Sequence, residues 1–153
     1  GPALLQIVTD DLGSGTPNPL SATSAIAIDV TPVNDAPVLG NNTLTIQQGT
    51  SVVLGAGNLS ARDVDNAAAS LIFQVEGLVN GRFERVGADG IAISQFTQGD
   101  VDAGQIRFVH TGADAPAYTI RVTDGSLSDV RQAVITYGAL PGGNTGGSGG
   151  GGT

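Results

Sequence analysis

The chain carries 12 Asp and 2 Glu against 6 Arg, with no Lys, Cys or Met. Short, stiff carboxylates on turns are the chemistry of an oxygen-loving cation such as Ca²⁺, which takes about six to eight hard ligands. Three acidic turns are spaced along the sequence: Asn34-Asp35, Asp63-Val64-Asp65-Asn66 and Thr123-Asp124-Gly125. Taken singly, each reads as a separate Asx-turn whose side chain bonds its own backbone. Brought together at one end of a fold, their carboxylates would repel each other unless a cation joined them, and the set then reads as a Ca²⁺ site. A second pair, Asp100 and Asp102, precedes Gly104 and offers a weaker Ca²⁺ loop. For this pair the favoured reading is that Asp100 and its neighbours bond backbone amides and fix the turn before the strand at Gln105.

Other chemistries are excluded by residue type. Without Lys or Cys there is no Schiff base, thiolate nucleophile, disulfide, Cys-ligated zinc or Lys-Asn crosslink. His110 is the sole histidine and ends a strand, so it reads as a positioned core or edge residue. No G-x-S-x-G elbow supports a hydrolase. No long loops frame a glycosidase carboxylate pair, and the Gly-rich tail lacks the Lys and helix of a phosphate loop. A net charge of −8 argues against phosphate backbones and anionic lipid. No apolar run approaches the roughly 20 residues that span a bilayer. The chain reads as non-catalytic, with no nucleic-acid partner and no membrane insertion.

The elements that must position these turns are strands. Runs rich in Val, Ile, Thr and Phe alternate with Gly, Asn, Asp and Pro clusters, predicting strands at 4–9, 24–30, 44–48, 51–54, 71–76, 81–86, 90–94, 105–110, 118–123 and 132–137. Asn80-Gly81 predicts a hairpin turn, and residues 67–70 read as a loop leading into the strand at Leu71, with one helical turn as the alternative. The pattern is that of a β-sandwich. An internal echo is visible as well. Gln6-Ile7-Val8-Thr9-Asp10, Leu20-Ser21 and Ala25-Ile26-Ala27-Ile28 repeat as Ile120-Arg121-Val122-Thr123-Asp124, Leu127-Ser128 and Ala133-Val134-Ile135-Thr136. Residues 1–35 are therefore expected to be the tail strands of a preceding repeat plus a junction, and 36–139 a complete repeat. Residues 140–153 contain a Gly-rich run expected to be a flexible linker or tail. A lone ribbon at 3–31 needs a surface to pack on, in the same chain or in another.

The order of the acidic turns resembles the cadherin scheme, in which a junction, an Asp-x-Asp turn and an Asp-Gly turn hold Ca²⁺ between repeats. Residues 96–110 go further. Phe96-Thr97-Gln98-Gly99-Asp100 through Gly104, Phe108 and His110 resembles the F-T-Q-x-D-x-x-x-G-x-x-x-F-x-H core of chondroitin-sulfate-proteoglycan-type repeats. Asn80-Gly81-Arg82-Phe83, Gly49-Thr50-Ser51-Val52-Val53-Leu54 and Val122-Thr123-Asp124-Gly125 fit the same pattern, over about residues 33–137. The Lys-free, Asn/Asp/Thr/Gly-rich wording is most similar to versions from large bacterial surface proteins. The resemblance implies an all-β, immunoglobulin-like Greek-key β-sandwich, secreted or at the cell surface, acting as a tandem spacer or adhesion module. It implies Ca²⁺ on Asn34, Asp35, Asp63, Asp65 and Asp124, and neighbouring repeats as partners. The alternative is an adhesin module that recognises a glycan or self-associates by strand exchange. Two departures bear on the metal: Arg62 adjoins Asp63, and Thr111 stands where family members often have Asp.

Overall fold

Alternation is clearest in two segments, where Ile106, Phe108 and His110, and then Tyr118, Ile120 and Val122, each fall on one buried face. In a strand successive side chains point to opposite faces, so this period of two sets both the element type and its orientation. The computed structural model describes residues 2–12 and 20–140. Its strands are β1 Ala3–Asp10, β2 Ser21–Ile28, β3 Val38–Gln47, β4 Ser51–Val53, β5 Leu59–Arg62, β6 Ile72–Val79 and β7 Gly81–Arg85. They continue as β8 Gln95–Thr97, β9 Ile106–His110, β10 Ala117–Thr123, β11 Ser128–Gln132 and β12 Val134–Gly138. A single 3₁₀ turn, Ala68–Ser70, and one short helix, α1 Gln98–Asp102, complete the described elements. The chain divides into two units, Gly1–Asn34 and Asp35–Thr153.

The first unit is an antiparallel pair, β1 with β2, and every residue of both strands is exposed.

The second unit is a β-sandwich. One layer has the order β11-β10-β6-β8; the remaining strands form β12-β3-β5 and β4-β9-β7. β12 lies parallel to β3, the long-range return that a sandwich with crossed connections uses. All four phenylalanines are buried at the centre, with Phe83 edge-on to Phe108 at 5.1 Å and to Tyr118 at 5.0 Å. Such edge-to-face pairs add about 0.5–1.5 kcal/mol each beyond burial of their area. Leu39, Leu44, Ile46, Leu71, Val101 and Ile120 close the core around them.

Several expectations are corrected. Asn80-Gly81 does not make a hairpin: β6 pairs with β10 and β8, whereas β7 pairs with β9. The pair is a corner where the chain changes sheets. Asn80 adopts φ 55°, and a Cβ on Gly81 would lie 2.1 Å from the Phe108 ring. The expected strand at 90–94 is a loop with a single bridge, Phe83 to Ile93. Residues 67–70 contain the 3₁₀ turn, and the expected strand at 132–137 is two strands broken at Ala133. The Gly-rich tail from 141 onward lies outside the described residues.

Candidate functional site

The acidic turn after β5 is built by its own carboxylates. Asp63 Oδ1 accepts the backbone N–H of Asp65 at 2.7 Å and of Asn66 at 3.0 Å. Its other oxygen, Oδ2, is buried and has no hydrogen-bond partner. A buried carboxylate oxygen without a partner is an uncommon and costly arrangement. Asp65 Oδ2 accepts the backbone N–H of Asp35 at 2.8 Å, which ties the first residue of the second unit to this turn. Asn34 closes the first unit, so the division between units runs through the Asn-Asp pair. Arg62 makes no ion pair among the described residues, and the neighbouring cation therefore does not take up Asp63. Val38, Arg62, Asp63 and Val64 line a depression beside the carboxylate.

Asp124 sits on a separate turn between β10 and β11. Its Oδ1 accepts from Ser126 N–H at 2.6 Å and from Leu127 N–H at 2.7 Å, and Gly125 takes φ 104°. Among the described residues no three of His, Cys, Asp and Glu gather closely enough to hold a metal ion. For Ca²⁺ the donor set fits in part. One orphaned oxygen on Asp63 lies in the same turn as the carboxylate of Asp65, short of the six to eight ligands the ion prefers.

Asp100 and Asp102 are engaged elsewhere. Asp100 receives both Arg85 guanidinium nitrogens, at 3.0 and 3.1 Å, and the backbone N–H of Thr97 at 2.9 Å. Thr97 Oγ1 in turn accepts from Asp100 N–H, so the two form the capping box of α1. The Arg85 bonds, then the Thr97 amide, lower the Asp100 carboxyl to about 2. Asp102 Oδ1 accepts from Gln98 Nε2, while Gln98 Oε1 accepts from Ala61 N–H in β5. His110 is buried and bonded at both ring nitrogens. Gly49 N–H donates to Nδ1 at 3.1 Å, Nε2 donates to the Asp114 carbonyl at 2.9 Å, and the ring stacks on Tyr137. The residues of the 96–110 motif are thus a structural set, with Phe96 and Phe108 in the core, Thr97 and Asp100 capping, and Gln98 and His110 bridging.

The sequence reading missed a buried ionic cluster. Glu84 has no exposed surface and accepts from Arg82 Nε at 2.8 Å, Arg107 Nε at 2.6 Å and Gly90 N–H at 2.9 Å. Arg107 also holds Asp89 at 2.5 Å. The signal was available as Arg82-Phe83-Glu84-Arg85, but it becomes specific only once the β7–β9 register sets Glu84 opposite Arg107.

These features converge with comparison to known proteins. The profile of the cadherin-like family matches residues 37–137. The chain belongs to the cadherin-like family. It is 34% identical over 103 residues to chondroitin sulfate proteoglycan 4 of Homo sapiens, covering 66% of this chain and 4% of that protein. It is 30% identical over 108 residues to extracellular matrix protein 3 of Lytechinus variegatus, covering 68% and 4%. Extracellular matrix organizing protein FRAS1 of Mus musculus matches at 30% over 99 residues, 62% of this chain and 2% of that one. The chain thus spans only a few per cent of the length of these curated relatives. Among solved structures, domains 4 and 5 of the S-layer protein SbsC align with TM-score 0.41 and 11% identity, over 89% of this chain and 58% of that one. The resemblance read from residues 96–110 is therefore that of a true cadherin-like, proteoglycan-type repeat.

Proposed function

We propose that the chain works outside the cell as a non-catalytic spacer repeat of a large bacterial surface or secreted protein, stiffened by Ca²⁺ where its complete repeat begins. The family and the relatives named for the extracellular matrix support the location and the structural role. The Lys-free, Asp-rich composition supports the bacterial assignment. The metal reading is carried by the buried, unpartnered Asp63 Oδ2 in a turn whose Asp65 already holds the Asp35 backbone. Asp63 and Asp65 would supply the first ligands, with Asp35 and Asp124 as the remaining candidates in this unit. When bound, Ca²⁺ supplies positive charge that offsets the repulsion between these carboxylates. The chain's own contribution is to hold Asp63 by its Oδ1 bonds, leaving Oδ2 without a partner, and to fix Asp35 against the turn.

Calorimetric titration of the chelator-treated chain tests this. Ca²⁺ at about 100 times its Kd is expected to add about 2.7 kcal/mol of stability. Asp63→Ala with Asp65→Ala should abolish both the binding heat and the rise in Tm. An unchanged melting curve at saturating Ca²⁺, or an equal shift in the double variant, overturns the metal reading. The glycan alternative has no comparable support. Stacking on a sugar needs an exposed aromatic face, whereas the four Phe and Tyr118 are core residues and Tyr137 lies against His110.

A further inference from the structure

The hairpin of the first unit is closed by a distinctive pair of bonds. Asp11 donates its backbone N–H to the Leu20 carbonyl at 3.2 Å, and Asp11 Oδ1 accepts the Leu20 N–H at 3.1 Å. The turn between β10 and β11 is closed in the same way. Asp124 N–H donates to the Leu127 carbonyl at 3.4 Å, and Asp124 Oδ1 accepts the Leu127 N–H at 2.7 Å. Asp11 therefore corresponds to Asp124 and Leu20 to Leu127. The strand registers agree from there on: Asp10↔Ser21, Thr9↔Ala22 and Ile7↔Ser24 match Thr123↔Ser128, Val122↔Asp129 and Ile120↔Arg131. This is one residue away from the correspondence that the letters Val-Thr-Asp suggest.

The corrected correspondence changes what the hairpin's faces are for. It sets Leu5 at the place of Tyr118, Ile7 at Ile120, Ile26 at Ala133 and Ile28 at Ile135. Tyr118 and Ile120 are core residues of the second unit, and Ala133 and Ile135 pack against that core. In the hairpin, Leu5 lies opposite Ile26, and Ile7 and Ile28 fall on the same face by the period of two. Leu5 and Ile7 are 48% and 41% exposed, where Tyr118 and Ile120 are 4% and 0%. The edges differ in the same sense. β11, an edge strand of the complete repeat, carries Asp129 and Arg131, the usual protection against further pairing. Their places in β2 hold Ala22 and Ser24, and β1 has no charge or Pro from Ala3 to Thr9. A long, uncharged edge of this kind is built to accept another strand.

We infer that the hairpin is the closing strand set of another cadherin-like repeat, and that its Leu5/Ile7/Ile26/Ile28 face and the free edge of β1 dock the remaining strands of that repeat. The second unit shows what the occupant looks like. β6 runs antiparallel along β10 with Val75 opposite Ile120 and Phe73 opposite Val122, and β3 runs parallel along β12 from Val134. The occupant accordingly lays a β6-type strand on β1, with apolar residues opposite Ile7 and Thr9, and a β3-type strand beside the end of β2 from Ala27. A second hairpin is a poorer occupant, because four apolar side chains a side fall far short of the roughly 1,000 Å² a specific interface buries. The inference rests on the repeat reading but not on Ca²⁺, so it is tested in chelator.

The test compares hydrogen exchange in the full chain with that in a longer chain, in which a copy of residues 36–116 is joined ahead of Leu4. That junction reproduces the step from 116 to 117 in the second unit. In the full chain the β1 and β2 amides should exchange almost unprotected, at every protein concentration. In the longer chain the amides of residues 5–9 and 22–28 should gain protection of about 100-fold or more, as expected when a strand set joins a cooperative unit. The same chain with one extra residue before Leu4, or with Ile7→Asp, should gain none. No gain in the in-register chain overturns the inference, and so does an equal gain in the shifted one. Protection that rises with concentration in the original chain overturns it too, since it would make a second copy the occupant.

Discussion

Glu84 is a carboxylate with no exposed surface, held in place by two arginines and one amide. The Arg82 bond, opposed by burial and reinforced by Arg107 and the Gly90 amide, lowers its carboxyl from 4.5 to about 2. Asp100 is lowered to about 2 by Arg85 and Thr97. A group whose folded pKa lies below its unfolded value stabilises the fold above the unfolded pKa and loses that contribution as pH falls through the folded one. Both groups therefore contribute fully at neutral pH, and the contribution should fade from about pH 5 towards pH 2. Urea unfolding measured from pH 7 to pH 2 should show this loss, and Glu84→Gln should be less stable at pH 7 with a flatter acid limb. His110 makes a different demand. The Gly49 N–H needs a bare Nδ1 and the Asp114 carbonyl needs a protonated Nε2, so one neutral tautomer satisfies both. His110→Phe removes both of these bonds, to the Gly49 N–H and the Asp114 carbonyl, and should lower stability by about 1–3 kcal/mol in denaturant unfolding.

At the scale of elements, α1 and the β6–β7 corner show how one local motif can serve a purpose its letters do not announce. Thr97 caps a helix of five residues, and Thr97→Ala should cost about 1 kcal/mol of unfolding free energy. Gly81 leaves no room for a side chain beneath Phe108, so Gly81→Ala should cost about 1–3 kcal/mol through overpacking. Urea midpoints of the two variants would check both. The strands that alternate throughout, β9 and β10, were legible from sequence because burial on one face imposes the period of two. The short β5 and β8, at four and three residues, and α1 with its five were not, because pieces of that length carry no period and are placed by tertiary partners such as Gln98. Asn80-Gly81 misled for a related reason. Its tolerance of positive φ suits a sheet-changing corner as well as a hairpin, and only the strand pairing separates them. The same limit applies to the acidic turns. Their Asx geometry could be read from Asp63-Val64-Asp65-Asn66, but which carboxylate oxygen is left without a partner is a property of packing.

For the whole molecule, the two units differ in how much apolar surface folding removes from water. The second unit buries a continuous core, whereas every residue of β1 and β2 remains exposed. The heat capacity change of unfolding follows newly exposed apolar area, about 12–15 cal/mol/K per residue of an ordinary folded domain. Residues 36–139 should therefore supply nearly all of it, about 1.3–1.6 kcal/mol/K, rather than the roughly 1.8–2.3 expected if all 153 residues were folded to normal density. Differential scanning calorimetry over a series of pH values would give the increment from the slope of unfolding enthalpy against Tm. A value near the upper range would mean that the hairpin buries surface in solution. A value near the lower range would identify the first unit as surface still awaiting its strands. The chain with residues 36–116 placed ahead of Leu4 should then move from the lower range by roughly the increment of a second full repeat, in a transition that includes β1 and β2.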